Sequence, residues 1–382
     1  VDDWRGWDWV NDDNNPHDDN GHGTHVAGII GAQGDNGVSG AGVNWNVSLL
    51  ALKFIDEAGG GSTADAIAAL EYAADMGIQI TNNSWGSLYY SQALYDAIVE
   101  LDGRGVLVIA AAGNDGINAD AFGTYPAAYN LPNILSVAAT DSSDQLASFT
   151  NYGPGAVDIA APGVSIYSTW ATSFGHDHRF ASGTSMATPF VAGAAALVKS
   201  RFPDASHLGL KALILRSADP ISGLADKVGA GGRLNVNNAV RCTGPAIWLE
   251  SPRTGFAVAS GQEVTVSVIA SECANSLAGN PSFAVAVNGQ TLELVNRGDG
   301  LYEGTFRPVE IGQVIVSASA RSGNVLDEVT VAGRVVRDYR YQNVPFSWID
   351  ATDGGARTGI VDDDGAELVP LPFPITFYED VY

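Results

Sequence analysis

Between residues 47 and 139 the chain alternates short, nearly all-apolar runs with longer stretches of helical pattern, and few folds accept that alternation. Residues 47–54 read as a buried strand and 63–76 as a helix, capped by Ser62 or Thr63 and stopped at Gly77. Strands follow over 78–82, 106–112 and 134–139, with a helix over 91–102. Strands apolar on both faces and separated by helices predict an α/β fold, a parallel sheet covered on both sides. Ligands of such sheets bind beyond the carboxyl ends of the strands, so polar residues there are the first candidates for chemistry.

Two such ends are Asn82-Asn83-Ser84-Trp85-Gly86 and Ala112-Gly113-Asn114-Asp115. An Asn at a strand end serves equally as a turn residue or as an amide donor to an oxyanion. Two further stretches join glycine to a polar group at a helix start. In Gly21-His22-Gly23-Thr24-His25-Val26-Ala27-Gly28, His22 suits a general base in a tight turn and His25 a structural role. A shared metal on the two histidines has no third ligand at suitable spacing. In Ser182-Gly183-Thr184-Ser185-Met186-Ala187-Thr188-Pro189, Ser185 falls where unpaired N–H groups and the positive helix end favour a developing anion. Pro189 is expected within the first turn, where its missing N–H costs nothing. The small residues that follow predict a helix packed on several sides.

Acidic residues outnumber basic ones 43 to 19, which argues against nucleic acid or an anionic membrane as partner. No run of about 18 apolar residues is present, so no membrane-spanning helix is expected. Seven Asp in the first twenty residues are too dense for a solvated surface alone. Asp8, Asn11, Asp13, Asn15 and His17 alternate as oxygen ligands do in a loop folded round a hard cation, although an acidic turn has the same pattern. Cys242 and Cys273 form either one disulfide or two buried thiols.

Beyond residue 240 the texture changes to short strands of period two at 263–268, 291–294 and 314–317, with turns at Asn288-Gly289 and Asp299-Gly300. This predicts three parts: the α/β domain over residues 1–240, an immunoglobulin- or fibronectin-like β-sandwich over 241–335, and the start of a further β segment over 336–382, with Asp362, Asp363 and Asp364 in it.

Taken together and in this order, the motifs around His22, Asn114 and Ser185 resemble those of the subtilisin-like serine peptidases. The resemblance implies a three-layer peptidase fold with Ser185 as nucleophile, His22 as base and Asn114 in the oxyanion hole. It further implies that Ser84, Trp85 and Gly86 line the primary specificity pocket together with Ala112 and Gly113, with an extended substrate strand between them. An apolar or aromatic residue is expected at the cleaved position, and Thr124 is expected to narrow that pocket. The Asp-rich opening resembles a calcium loop of some members, with Asp8, Asp13, Asn15 and His17 at ligand positions. His17 is a poor calcium ligand. A second loop, over 33–38 with Asp35, is one residue shorter than usual in the family. The third triad member is expected before the His, in an Asp-Ser-Gly or Asp-Thr-Gly that this sequence does not contain. The sequence is therefore expected to be a fragment of a longer protein, with turnover on the order of 10⁴-fold lower without that Asp. His176 and His178, flanking Asp177, are expected at the cleft rim, exposed rather than metal-bound.

The expected activity is that of a secreted, monomeric serine endopeptidase with structural calcium, acting on proteins or peptides. The alternative is an inactive scaffold of the same fold. Keeping Ser185, His22 and Asn114 together favours the enzyme, since a binding module gains nothing from all three.

Overall fold

The structure is a computed structural model that describes residues 5–172, 175–273, 275–276, 283–337, 376–377 and 380–381. It contains two compact units, Val1–Arg337 and Asp338–Tyr382. In the second, the described residues form only a two-stranded ladder, Thr376–Phe377 against Asp380–Val381. Asp362, Asp363 and Asp364 lie outside the described residues.

The first unit opens with β1 (Gly6–Asp8), α1 (His22–Gly31), β2 (Ala51–Lys53), α2 (Thr63–Asp75), β3 (Ile80–Asn83), α3 (Gln92–Gly103), β4 (Leu107–Ala111), β5 (Ile134–Thr140) and β6 (Ile159–Pro162). A hairpin of β7 (Ile166–Thr172) and β8 (Gly175–Ala181) follows, then α4 (Thr184–Arg201), α5 (His207–Arg216), β9 (Asp219–Pro220), β10 (Gly232–Arg233) and α6 (Val236–Val240). The main sheet runs β3-β4-β5-β6-β10-β9, parallel except for β9. Side chains alternate across it: Val108 and Ile134 face α2 and α3, whereas Leu107, Ile109, Leu135 and Val137 face α4 and α5. The sheet is thus the middle layer of three, and its central strands β4 and β5 are buried throughout.

Ser62 and Ser91 cap α2 and α3 by accepting from the backbone N–H of Asp65 and Leu94. The strand expected over 47–54 is confined to Ala51–Lys53, which pairs with β1 outside the main sheet and is only half-buried. The β7–β8 hairpin has no counterpart in the sequence reading: His178 lies in one of its strands rather than in a loop.

A β-sandwich completes the unit. One sheet runs β11 (Pro245–Ser251), β13 (Val264–Glu272), β18 (Leu301–Phe306), β17 (Val295–Gly298), with β14 (Asn275–Ser276) on β13. The other runs β12 (Ala257–Ala259), β20 (Val325–Val336), β19 (Gly312–Ser322), β15 (Ala284–Val287), β16 (Gln290–Thr291). The strand expected over 291–294 ends at Thr291; Leu292 and Leu294 instead pack on the sandwich core. Cys242 and Cys273 are joined as a disulfide.

The sandwich and the three-layer part share apolar core. Ala246, Trp248 and Ile269 belong to the same buried cluster as Leu213 of α5 and Val198 of α4. Helix α5 carries Leu208, Leu210, Leu213, Ile214 and Leu215 round its surface, so most of its faces need cover. Strands β11 and β13 supply it, and residues 207–215 are all buried.

Candidate active site

The starts of α1 and α4 adjoin at the carboxyl end of the sheet, where Met186 packs against Val26 and Ile29. His22 is the first residue of α1, half-buried, and Ser185 is the second of α4, also half-buried. Gly21 turns the chain into α1 at φ 102°, and a Cβ there would lie 2.3 Å from the Trp170 ring. His25 is completely buried: its Nε2 lies 3.1 and 3.0 Å from the carbonyls of Ile166 and Arg179. Ser168 and Thr169 hydroxyls donate to the carbonyls of His25 and Thr24. The hairpin therefore clamps the helix that carries His22. It reaches the other motif through the Ser165 N–H, which donates to Ser182 Oγ at 2.9 Å.

Burial holds the His22 imidazole below its ordinary value of 6.5, and the neighbouring His25 adds to this; Asp18 acts in the opposite direction. The ring is then mainly neutral near pH 7 and can accept a proton.

Asn114, exposed at the end of β4, has its amide orientation fixed by Thr184. The Thr184 N–H and hydroxyl both donate to Asn114 Oδ1, at 2.8 and 3.0 Å, which leaves Nδ2 to donate elsewhere. The turn itself hangs on Asn151, a residue the sequence reading passed over. Asn151 is fully buried; its Nδ2 donates to the Ala112 carbonyl, and its Oδ1 accepts the N–H groups of Asp115 and Ile117. Gly113 makes room for it at φ 105°, where a Cβ would lie 2.3 Å from Asn151 Nδ2.

Pro189 is the sixth residue of α4, not a first-turn residue as expected. Its missing N–H leaves the carbonyl four residues back, that of Ser185, without a helical donor. Ser84 Oγ donates to that carbonyl at 2.9 Å, while Ser185 Oγ donates to the Ser84 carbonyl at 3.3 Å. This pair ties the end of β3 to the turn of Ser185, a role for Ser84 that its motif did not suggest.

Ser84, Trp85 and Gly86 continue from β3, and the Ser87 N–H and carbonyl pair with Tyr125. The Trp85 ring meets Phe54 edge-on. Thr124 sits between the two expected pocket walls. A Cβ on Gly86 would come within 2.7 Å of its Cγ2, and one on Gly113 within 2.8 Å of its Oγ1. Thr124 is buried and accepts from Asn151 Nδ2 at 3.1 Å.

Of the calcium residues, Asp8 and Asp13 are brought side by side, the N–H of each donating to the carbonyl of the other at 2.8 and 3.1 Å. Asp8 is buried, with Lys53 Nζ at 3.3 Å and hydrogen bonds from Val10 N–H, Asn11 N–H and Asn11 Nδ2. Asp13 Oδ1 accepts the Asn15 N–H, and Asp13, Asn15 and His17 are exposed. Asp35 is exposed too. Among the described residues no three His, Cys, Asp or Glu side chains are grouped to hold a metal. An ammonium beside Asp8 supplies the positive charge expected of the ion, so this loop does not fit calcium at Asp8. Of the His-Asp-His run, the His176 side chain lies outside the described residues, and His178 stacks on Tyr167.

Residues 1–239 match the model of the subtilase family of peptidases. The chain belongs to the subtilase family. It is 42% identical over 236 residues to thermitase of Thermoactinomyces vulgaris, covering 62% of this chain and 80% of that protein. It is 41% identical over 237 residues to a thermophilic serine proteinase of a Bacillus species, but spans only 56% of that relative's length. The crystal structure of a cold adapted subtilisin-like serine proteinase superposes with a TM-score of 0.51 at 36% identity, covering 60% of this chain and 78% of that one. In this subtilase the family match stops where the β-sandwich begins.

Proposed function

We propose that the protein of which this chain is part is a secreted serine endopeptidase working through an acyl-enzyme. The observation that carries the reading is the fixed amide of Asn114, whose Oδ1 is taken twice by Thr184 and whose Nδ2 is left to donate beside the start of α4. In the proposed reaction, Ser185 Oγ attacks the scissile carbonyl carbon while His22 takes its proton. Asn114 Nδ2 and the Ser185 N–H stabilise the oxyanion, and the Ser185 N–H is among the first-turn groups that have no helical partner. His22 then returns the proton to the leaving amine, and water repeats the cycle on the ester. Thr124 between Gly86 and Gly113 favours small apolar side chains at the cleaved position over aromatic ones. The disulfide supports an oxidising, extracytoplasmic setting.

A fluorophosphonate probe tests this: it is expected to label the protein at Ser185, and labelling is expected to vanish in Ser185→Ala. With His22 as the base, kcat/KM falls on an acid limb centred below 6.5, because burial lowers that imidazole. Failure of the folded full-length protein to label would favour the inactive scaffold.

A further inference from the structure

Helix α1 begins without a cap of its own: Gly21 has no side chain to accept a bond, and the first turn holds no acidic residue. We propose that Asp18 is a positioning residue for His22, its carboxylate gathering into one rigid turn the backbone from which the imidazole projects. Both oxygens are doubly used. Oδ1 accepts the N–H groups of Asn20 and Gly21 at 3.0 and 2.7 Å; Oδ2 accepts the N–H and hydroxyl of Thr24 at 2.7 and 2.6 Å. These donors bracket His22 on both sides, and its own N–H donates to Asn20 Oδ1 at 3.2 Å. Four donors on one group demand an ionised carboxylate, since an amide in its place would turn an NH₂ toward two of them. Multiple hydrogen bonds keep Asp18 ionised: although burial alone would raise its carboxyl, bonds from Thr24, Gly21 and Asn20 hold it below the ordinary value.

The hairpin holds the same turn from the opposite side through Thr24 and His25, so the His22 backbone is fixed between two supports. The two differ in charge. The Arg179 guanidinium of the hairpin lies over the Trp170 ring, while His25 is turned to carbonyls. Asp18 is the group in this turn that favours the charged imidazole, the form His22 takes when it holds the serine proton.

The test uses the full chain with Asp18→Asn and Asp18→Glu, reading the His22 titration by NMR, kcat and KM separately, and melting temperature. Its kinetic arm rests on the peptidase reading; the titration arm stands if that reading fails. In Asp18→Asn the His22 pKa is expected to drop further, and kcat at least tenfold, with KM changed less than threefold. In Asp18→Glu the charge survives but the bonds are displaced, so the titration stays near that of the parent while kcat falls. An Asp18→Asn protein with unchanged His22 titration and kcat, having lost only melting temperature, would reduce Asp18 to a helix cap. If that variant does not fold, Asp18→Glu decides: parental kcat there overturns the role.

Discussion

At the scale of the residue, the site depends on small polar side chains that replace missing backbone partners. Ser84 takes the Ser185 carbonyl that Pro189 cannot serve. Ser84→Ala is expected to cost about 1–2 kcal/mol, the penalty for a partly buried acceptor left unmade. It should also lower kcat more than it raises KM, because the strand end and the nucleophile turn come apart; denaturant melts and steady-state kinetics check both. Thr124 acts by volume. Thr124→Gly is expected to raise kcat/KM for substrates cleaved after Phe or Tyr, relative to Ala, by at least tenfold, about 1.4 kcal/mol. An unchanged ratio would remove Thr124 from the specificity pocket. Ser185, His22 and Asn114 stand out as candidates in the sequence because each sits in a contiguous motif. Asn151 does not, since its partners at 112, 115 and 117 are separated from it by more than thirty residues and no local pattern marks an Asn as their acceptor.

At the scale of the element, the helices and central strands of the sheet follow from periodicity and caps, which are local. Strand β2 and the β7–β8 hairpin do not. The first is shortened because only three residues find a partner, in β1; the second exists because α1 provides a surface for it. The loop between β1 and α1 yields a prediction here. Lys53 joins Asp8 and Asp19 at 3.3 and 3.2 Å, so an ammonium already neutralises the loop's buried carboxylate. Excess chelator is expected to leave the melting temperature unchanged, whereas Lys53→Met should lower it by several degrees. A fall on chelation that is abolished in Asp8→Asn would restore calcium to this loop.

At the scale of the molecule, buried charges join the three-layer part to the sandwich. Lys211, fully buried in α5, donates to Glu250 at 2.8 Å and to the Pro132 carbonyl at 3.1 Å. Arg253 spans Asp158 and Glu250, both at 2.7 Å, and lies over the Trp248 ring. Burial alone would raise the Asp158 carboxyl, but the charges of Lys211 and Arg253 hold it below its ordinary value. That contribution is complete above the ordinary aspartate range and is lost as the pH falls from there through the group's lower pKa. Glu250→Gln removes the carboxylate bonded to Lys211 and one of the two bonded to Arg253, and is expected to cost on the order of 3–5 kcal/mol. Because the two parts share a core, calorimetry should show one transition for both, moved as a whole by the substitution. Two separate transitions would mean that the sandwich is merely tethered.

What the sequence determined by itself is the type of each principal element and the identity of the candidate nucleophile, base and oxyanion donor. Those depend on period, capping and contiguous motifs, all of which operate within a few turns of chain. What only the tertiary structure decided is how these groups are held: the hairpin over α1, Asn151 beneath the Asn114 turn, Thr124 between the pocket walls, and the ion pairs that join α5 to β11. Each depends on groups brought together from distant segments, where a side chain's role is set by the cavity or charge it meets and not by its neighbours in sequence.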